Sequence, residues 1–104
     1  MGNIYINEEI LLYNIANMHL WTCKCKTCKD GSYLAKYYND NNTYICWLRI
    51  YELSESEIGV KGRYCNSDIY QKFDCTEVTE LEILSTIEQL LLINFIERVK
   101  KWII

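Results

Sequence analysis

Thr79 to Ile104 reads as one unbroken amphipathic helix, and a helix of that length dictates the size of whatever packs against it. Thr79 and Glu82 have the capping-box spacing, in which each side chain satisfies an amide that the first turn leaves open. Val78 and Ile83 stand where a hydrophobic staple closes around such a cap. Glu80, Glu82 and Glu88 lie toward the start, and Arg98, Lys100 and Lys101 lie at the end, which suits the helix dipole at both termini. About 25 residues at 1.5 Å each span roughly 37 Å. A chain of this size folds to a globule about 33 Å across. The helix is therefore expected to cross the whole fold, with Leu84, Ile87, Leu91 and Phe95 toward its partner layer.

Leu90, Leu91, Leu92 and Ile93 point in four directions around that helix, about 100° apart. One sheet cannot cover them all. Either a second element packs on the other side, or two chains meet through Leu90–Ile96 as a homodimer. The same helix is not a membrane span, because Glu82, Glu88 and Asn94 interrupt it and it ends in charge.

Upstream, Asn7 is placed to cap a helix over 8–19, with Glu8 and Glu9 in its first turn and Leu11, Leu12, Ile15 and Ala16 on one face. His19, the single histidine, falls at its end, where it serves the helix dipole. From Leu20 the period changes to two. Cys23 and Cys25 alternate with Lys24 and Lys26, Asp30-Gly31 supplies a hairpin turn, and Tyr33–Tyr38 returns as a second strand. Asn39 to Asn42 is a turn, and Thr43–Leu53 is the longest strand. A fourth strand carries Ile58, Val60 and Tyr64, with Gly59 and Gly62 as candidate bulge positions. Asp68–Phe73 reads equally as a helical turn or a short strand. The expected fold is α+β, an antiparallel four-stranded meander with a short N-terminal helix and a long covering C-terminal helix, in a single domain spanning 1–104.

Half of the 104 residues are hydrophobic and 24% are charged, which suits a globular chain with its own core. The N-terminus lacks the basic and apolar runs of a signal peptide, so a cytoplasmic protein is expected, in a host cell if phage-encoded. A net charge of −3 gives no global attraction to nucleic acid or to an anionic membrane.

The sharpest local motif is Cys23-Lys-Cys25-Lys-Thr-Cys28, in which Cys25 and Cys28 have C-x-x-C spacing. A structural zinc needs two more thiolates, and Cys65 and Cys75 are the candidates. The six cysteines also read as reduced core thiols, or as a disulfide framework, which the absence of a signal sequence opposes. Lys24, Lys26 and Lys29, with Tyr33, Tyr37 and Tyr38 nearby, form a candidate phosphate-and-stacking surface for single-stranded nucleic acid that also reads as a solvated strand edge. Glu52, Glu55 and Glu57, with Asp40, form a candidate acidic surface for a basic partner. No P-loop, nucleophile elbow or H-E-x-x-H motif is present.

These features favour a non-enzymatic interaction protein that binds and inhibits or regulates a protein or nucleoprotein partner through the acidic turn. Size and AT-rich compositional bias are those of small phage-encoded inhibitors of host defence, anti-CRISPRs among them, an analogy of type that no particular residue carries. A zinc-stabilised nucleic-acid-binding module is the alternative, and a small cysteine enzyme a third reading.

Overall fold

The computed structural model of the chain describes residues 6–103, arranged as α1 (Glu8–His19), β1 (Thr22–Thr27), β2 (Tyr33–Tyr38), β3 (Tyr44–Glu52), β4 (Glu57–Tyr64), β5 (Ser67–Asp74) and α2 (Glu80–Ile103). Most of the apolar lead Asn3–Ile6 and the last residue expected in the C-terminal helix lie outside the described residues. The strands form one antiparallel sheet in the order β1-β2-β3-β4-β5. This is the expected α+β arrangement with one strand more than the four expected.

Both helices begin as their caps dictate. The Asn7 side chain accepts from the Ile10 amide at 3.0 Å. The Thr79 amide donates to Glu82 Oε1 at 3.2 Å, and the Glu82 amide returns to Thr79 Oγ1 at 3.2 Å. Leu11, Leu12, Ile15 and Ala16 of α1 and Ile83, Leu84, Ile87 and Leu91 of α2 are buried against the same side of the sheet. That side presents Ala35, Tyr37, Cys46, Leu48, Ile58 and Val60. The Tyr37 hydroxyl donates to the Leu12 carbonyl at 2.8 Å, which satisfies the polar end of this fully buried ring. Between the helices, Glu88 reaches His19 Nε2 at 2.6 Å, and the His19 ring stacks on Trp21 at 4.0 Å.

Gly59 and Gly62 are not bulges, because β3 and β4 pair without a break through both. Gly62 is instead a close-approach position: a Cβ there would stand 2.5 Å from Leu48 Cδ2 and 2.5 Å from the Trp47 carbonyl oxygen. The irregularity falls between β2 and β3, at Tyr37 and Tyr38, where Ile45 is the extra residue. The β4–β5 connection is a two-residue hairpin whose Cys65 and Asn66 both have positive φ, at 54° and 63°.

The long helix does more than cross the sheet. Asn94 donates to the carbonyls of Tyr64 and Ser67, at 3.2 Å each, and ties α2 to the β4–β5 hairpin. Beyond it every residue from Phe95 to Ile103 is exposed. Phe95 was expected against the sheet and is 49% exposed, because α2 has passed the sheet's edge by then. The overhang stretches the molecule to 45 × 27 × 22 Å. No helix among the described residues is long and apolar enough to cross a membrane.

Candidate nucleic-acid interface

Because both helices sit on one side, the other side of the sheet faces solvent across all five strands. Period-two alternation determines what stands there. One cross-strand row reads Lys24, Lys36, Trp47, Arg63, Asp68. The next reads Lys26, Leu34, Arg49, Lys61, Tyr70. Flanking rows add Tyr51, Gly59 and Lys72 on one side and Thr22, Tyr38 and Tyr44 on the other. Most of the chain's 11 Lys and Arg side chains therefore share one face, while most of its 14 Asp and Glu lie elsewhere. The net charge of −3 conceals this segregation.

The cations on this face fall into two groups. Arg49 is held by Asp30 at 3.1 Å and by Ser32 Oγ at 2.7 Å, Arg63 by Asp68 at 2.7 Å, and Lys72 by Glu57 at 3.2 Å. Lys24, Lys26, Lys36 and Lys61 have no carboxylate partner among the described residues. Lys24 Nζ lies 4.9 Å from the Tyr38 ring centroid, and Tyr38 meets Tyr44 edge-on at 5.8 Å. Lys24, Lys26, Lys36, Leu34 and Tyr38 line a shallow groove of about 260 Å³ along the β1 side. Gly59 carries no side chain to lift the end of Tyr70 off the sheet, since a Cβ there would come within 3.3 Å of the Tyr70 hydroxyl.

Of the lysine surface expected from sequence, Lys24 and Lys26 stand on this face, and Lys29 is exposed in the β1–β2 turn. Tyr38 stands on this face as well, whereas Tyr33, opposite Ile50 and half-buried, and the fully buried Tyr37 are on the core side. Lys36, Arg49, Lys61, Arg63, Trp47 and Tyr70 were missed. Their signal was the alternation within β2, β3, β4 and β5, but it declares a shared face only once the pairing is known.

The acidic residues divide. Glu52 and Glu55 are exposed beside the β3–β4 turn and, with Asp30 and Tyr51, line a notch of about 440 Å³. Glu57 is engaged by Lys72. Asp40 sits in the β2–β3 turn, at the other end of β3 from Glu52, so the structure groups Asp30 with the acidic turn and leaves Asp40 apart. Hydrogen bonds from the Ser32 hydroxyl and amide, and more weakly Arg49, hold the Asp30 carboxyl below its ordinary 3.8. A depressed carboxyl contributes stability that is present above its unfolded value and lost as pH falls through the folded one. Asp30→Asn should therefore lower the melting temperature at neutral pH, with the difference from the parent shrinking below pH 3.8, measurable by calorimetry across pH.

The four candidate zinc ligands are not brought together. Cys28 and Cys75 lie at one end of the sheet and Cys65 at the other, beyond the eight residues of β4, which at about 3.3 Å each span roughly 26 Å. Among the described residues no group of three or more His, Cys, Asp or Glu is placed to hold a metal ion. The pair the fold does bring together is Cys23 and Cys25, whose sulfurs are 3.9 Å apart on the helix side of β1. The Cys25 thiol lowers the Cys23 value by hydrogen bonding, while Cys25 is raised by the same contact and burial pushes Cys46 up to about 12. Limited alkylation followed by peptide mass mapping should label Cys23 before Cys25 and Cys46. His19, occupied by Glu88 and Trp21, is not arranged as a base for either thiol.

No family model matches the chain, and no curated protein or solved structure is significantly similar to it.

Proposed function

We propose that the protein is a non-enzymatic binding module that holds single-stranded nucleic acid on the open face of its sheet. One observation carries this reading: lysines without carboxylate partners among the described residues (Lys24, Lys26, Lys36, Lys61) share with Tyr38, Trp47 and Tyr70 a sheet face that no helix covers. Aromatic rings on a sheet surface stack with unpaired bases, and lysines between them meet the phosphates. Trp47 occupies the middle of the face, flanked in its row by Lys36 and Arg63. Strands are about 4.8 Å apart, so the five present a platform roughly 19 Å wide, enough for a few nucleotides. Stacking needs bases that are free on at least one face, so single strands are preferred to duplexes. The reading needs no metal and no catalytic group.

Fluorescence anisotropy with labelled single-stranded RNA and DNA, alongside the corresponding duplexes, tests this. Single strands should bind, duplexes should bind far less, and Lys36→Glu with Lys61→Glu should abolish binding. Equal binding of duplexes, or full affinity in the double variant, contradicts it.

A second reading has its own observation. Glu52 and Glu55 stand without cationic partners among the described residues at the notch beside the β3–β4 turn, where a basic cleft of a protein or nucleoprotein partner would meet them. In that reading the chain inhibits or regulates its partner by occupying the cleft, as a phage-type inhibitor would. Reversing Glu52 and Glu55 to Lys should then slow association with the partner while leaving nucleic-acid binding intact.

A further inference from the structure

We infer that the overhanging end of α2 is a self-association surface, occupied by the same segment of a second copy running antiparallel. The observation is a stripe that the fold itself does not use. Leu92, Phe95, Val99 and Trp102 recur at spacings of three, four and three, roughly a quarter turn round the helix from the buried seam of Ile83, Leu84, Ile87 and Leu91. Ile96 and Ile103 border the same stripe. Trp102 is 79% exposed and Leu92 56%, so the stripe lies open along the overhang.

The spacing identifies the occupant. Leu92 and Trp102 are equally far from Glu97 in sequence, and so are Phe95 and Val99. A two-fold axis beside Glu97 therefore sets Leu92 against Trp102 of the second copy and Phe95 against its Val99, with every stripe residue given an apolar counterpart. Self-complementarity of this kind is what an isologous two-fold interface requires. Glu97 itself points away from the stripe, and Lys100 comes level with uncharged Asn94 rather than with a like charge. The inner end of the stripe opens into a groove of about 390 Å³ lined by His19, Tyr64, Glu88, Leu91, Leu92 and Phe95. That is where Trp102 of the second copy arrives.

The area suffices. Six apolar side chains, two of them aromatic at about 150–250 Å² each, offer on the order of 500–700 Å² per protomer, which over two protomers passes the roughly 1,000 Å² that a specific interface needs. An anionic membrane surface would be drawn to Arg98, Lys100 and Lys101 but gives no reason for the matched spacing of the stripe about Glu97, so the second copy is the occupant. In the dimer the two sheets remain uncovered.

The test is a charge exchange read by sedimentation equilibrium on the full chain. The parent should be dimeric at high micromolar concentration. Leu92→Glu and Trp102→Lys should each be monomeric with unchanged far-ultraviolet circular dichroism, because both positions are exposed. Combined in one chain, the two should restore the dimer by placing each Glu opposite a Lys across the axis. A monomeric parent, singly substituted chains that still dimerise, or a double variant no more dimeric than the single ones would overturn the inference. So would a monomer that instead co-sediments with phosphatidylserine-containing vesicles through Trp102.

Discussion

Leu91→Ala should destabilise the fold by about 2–5 kcal/mol, whereas Leu81→Ala on the same helix should change stability by no more than about 0.5 kcal/mol. Leu91 is 2% exposed and sits in the α2 seam with Ile87 and Leu84, while Leu81 is 74% exposed near the start of the helix. Removing the Leu91 side chain loses its transfer free energy and leaves a void between α2 and the sheet that neighbouring side chains only partly refill. For a domain of about 100 residues each kcal/mol shifts the melting temperature by about 4–8 °C, so Leu91→Ala should melt at least about 8 °C below the parent. Chemical denaturation of the two variants at low protein concentration, where association does not contribute, measures both. Equal losses at the two positions would mean that the buried face of α2 is assigned wrongly.

Trp47→Ala should weaken single-strand binding by about 1–3 kcal/mol, or roughly 5- to 150-fold in Kd, without unfolding the protein. Trp47 is half-buried on the solvent side of β3, between Lys36 and Arg63, so in the proposed binding mode its ring would support a base. The other two tryptophans are elsewhere, Trp21 stacked on His19 and Trp102 on the overhang. Stacking on Trp47 should therefore quench part of the tryptophan emission on titration with oligonucleotide. Trp47→Phe, which keeps a stacking surface, should bind nearly as well and lose that quench. Full affinity in Trp47→Ala would remove the ring from the interface.

What the sequence discloses about this protein follows the range over which each interaction acts. The two helices were legible through local chemistry: Asn7 capping Ile10, the Thr79 and Glu82 box, and the apolar faces of both segments. The fifth strand was not. Ile69 and Phe73 are its buried residues, four apart, which suits a helical turn as well as a strand, and exposed Tyr70 and half-buried Gln71 blur the alternation. Its hairpin is equally silent, because Cys65 and Asn66 adopt positive φ without a glycine to announce the turn. Gly59 and Gly62 were visible but misread, since a glycine needed for close approach looks the same in sequence as one needed for a bulge.

The candidate site was half legible for the same reason. Lys24 and Lys26 lie next to each other along one strand, and their common side follows from alternation alone. Lys36, Trp47, Lys61 and Tyr70 join them only through the pairing of β2, β3, β4 and β5, which is non-local. Tyr33 failed because it is one residue out of phase with the face, opposite Ile50. The acidic total speaks against nucleic acid when charge is treated as uniform, and the assembled sheet does not distribute it uniformly. Once the sheet is assembled, carboxylates pair with Arg49, Arg63 and Lys72 and leave Lys24, Lys26, Lys36 and Lys61 to act outward.

The salt dependence of single-strand binding tests the central claim most directly. If those four lysines each displace a counterion from a single strand, log K against log salt should fall with a slope of about −3. Lys36→Glu combined with Lys61→Glu should flatten that slope as it weakens binding. An affinity that does not change with salt, or a slope that the double variant leaves untouched, would contradict the assignment of this face to nucleic acid.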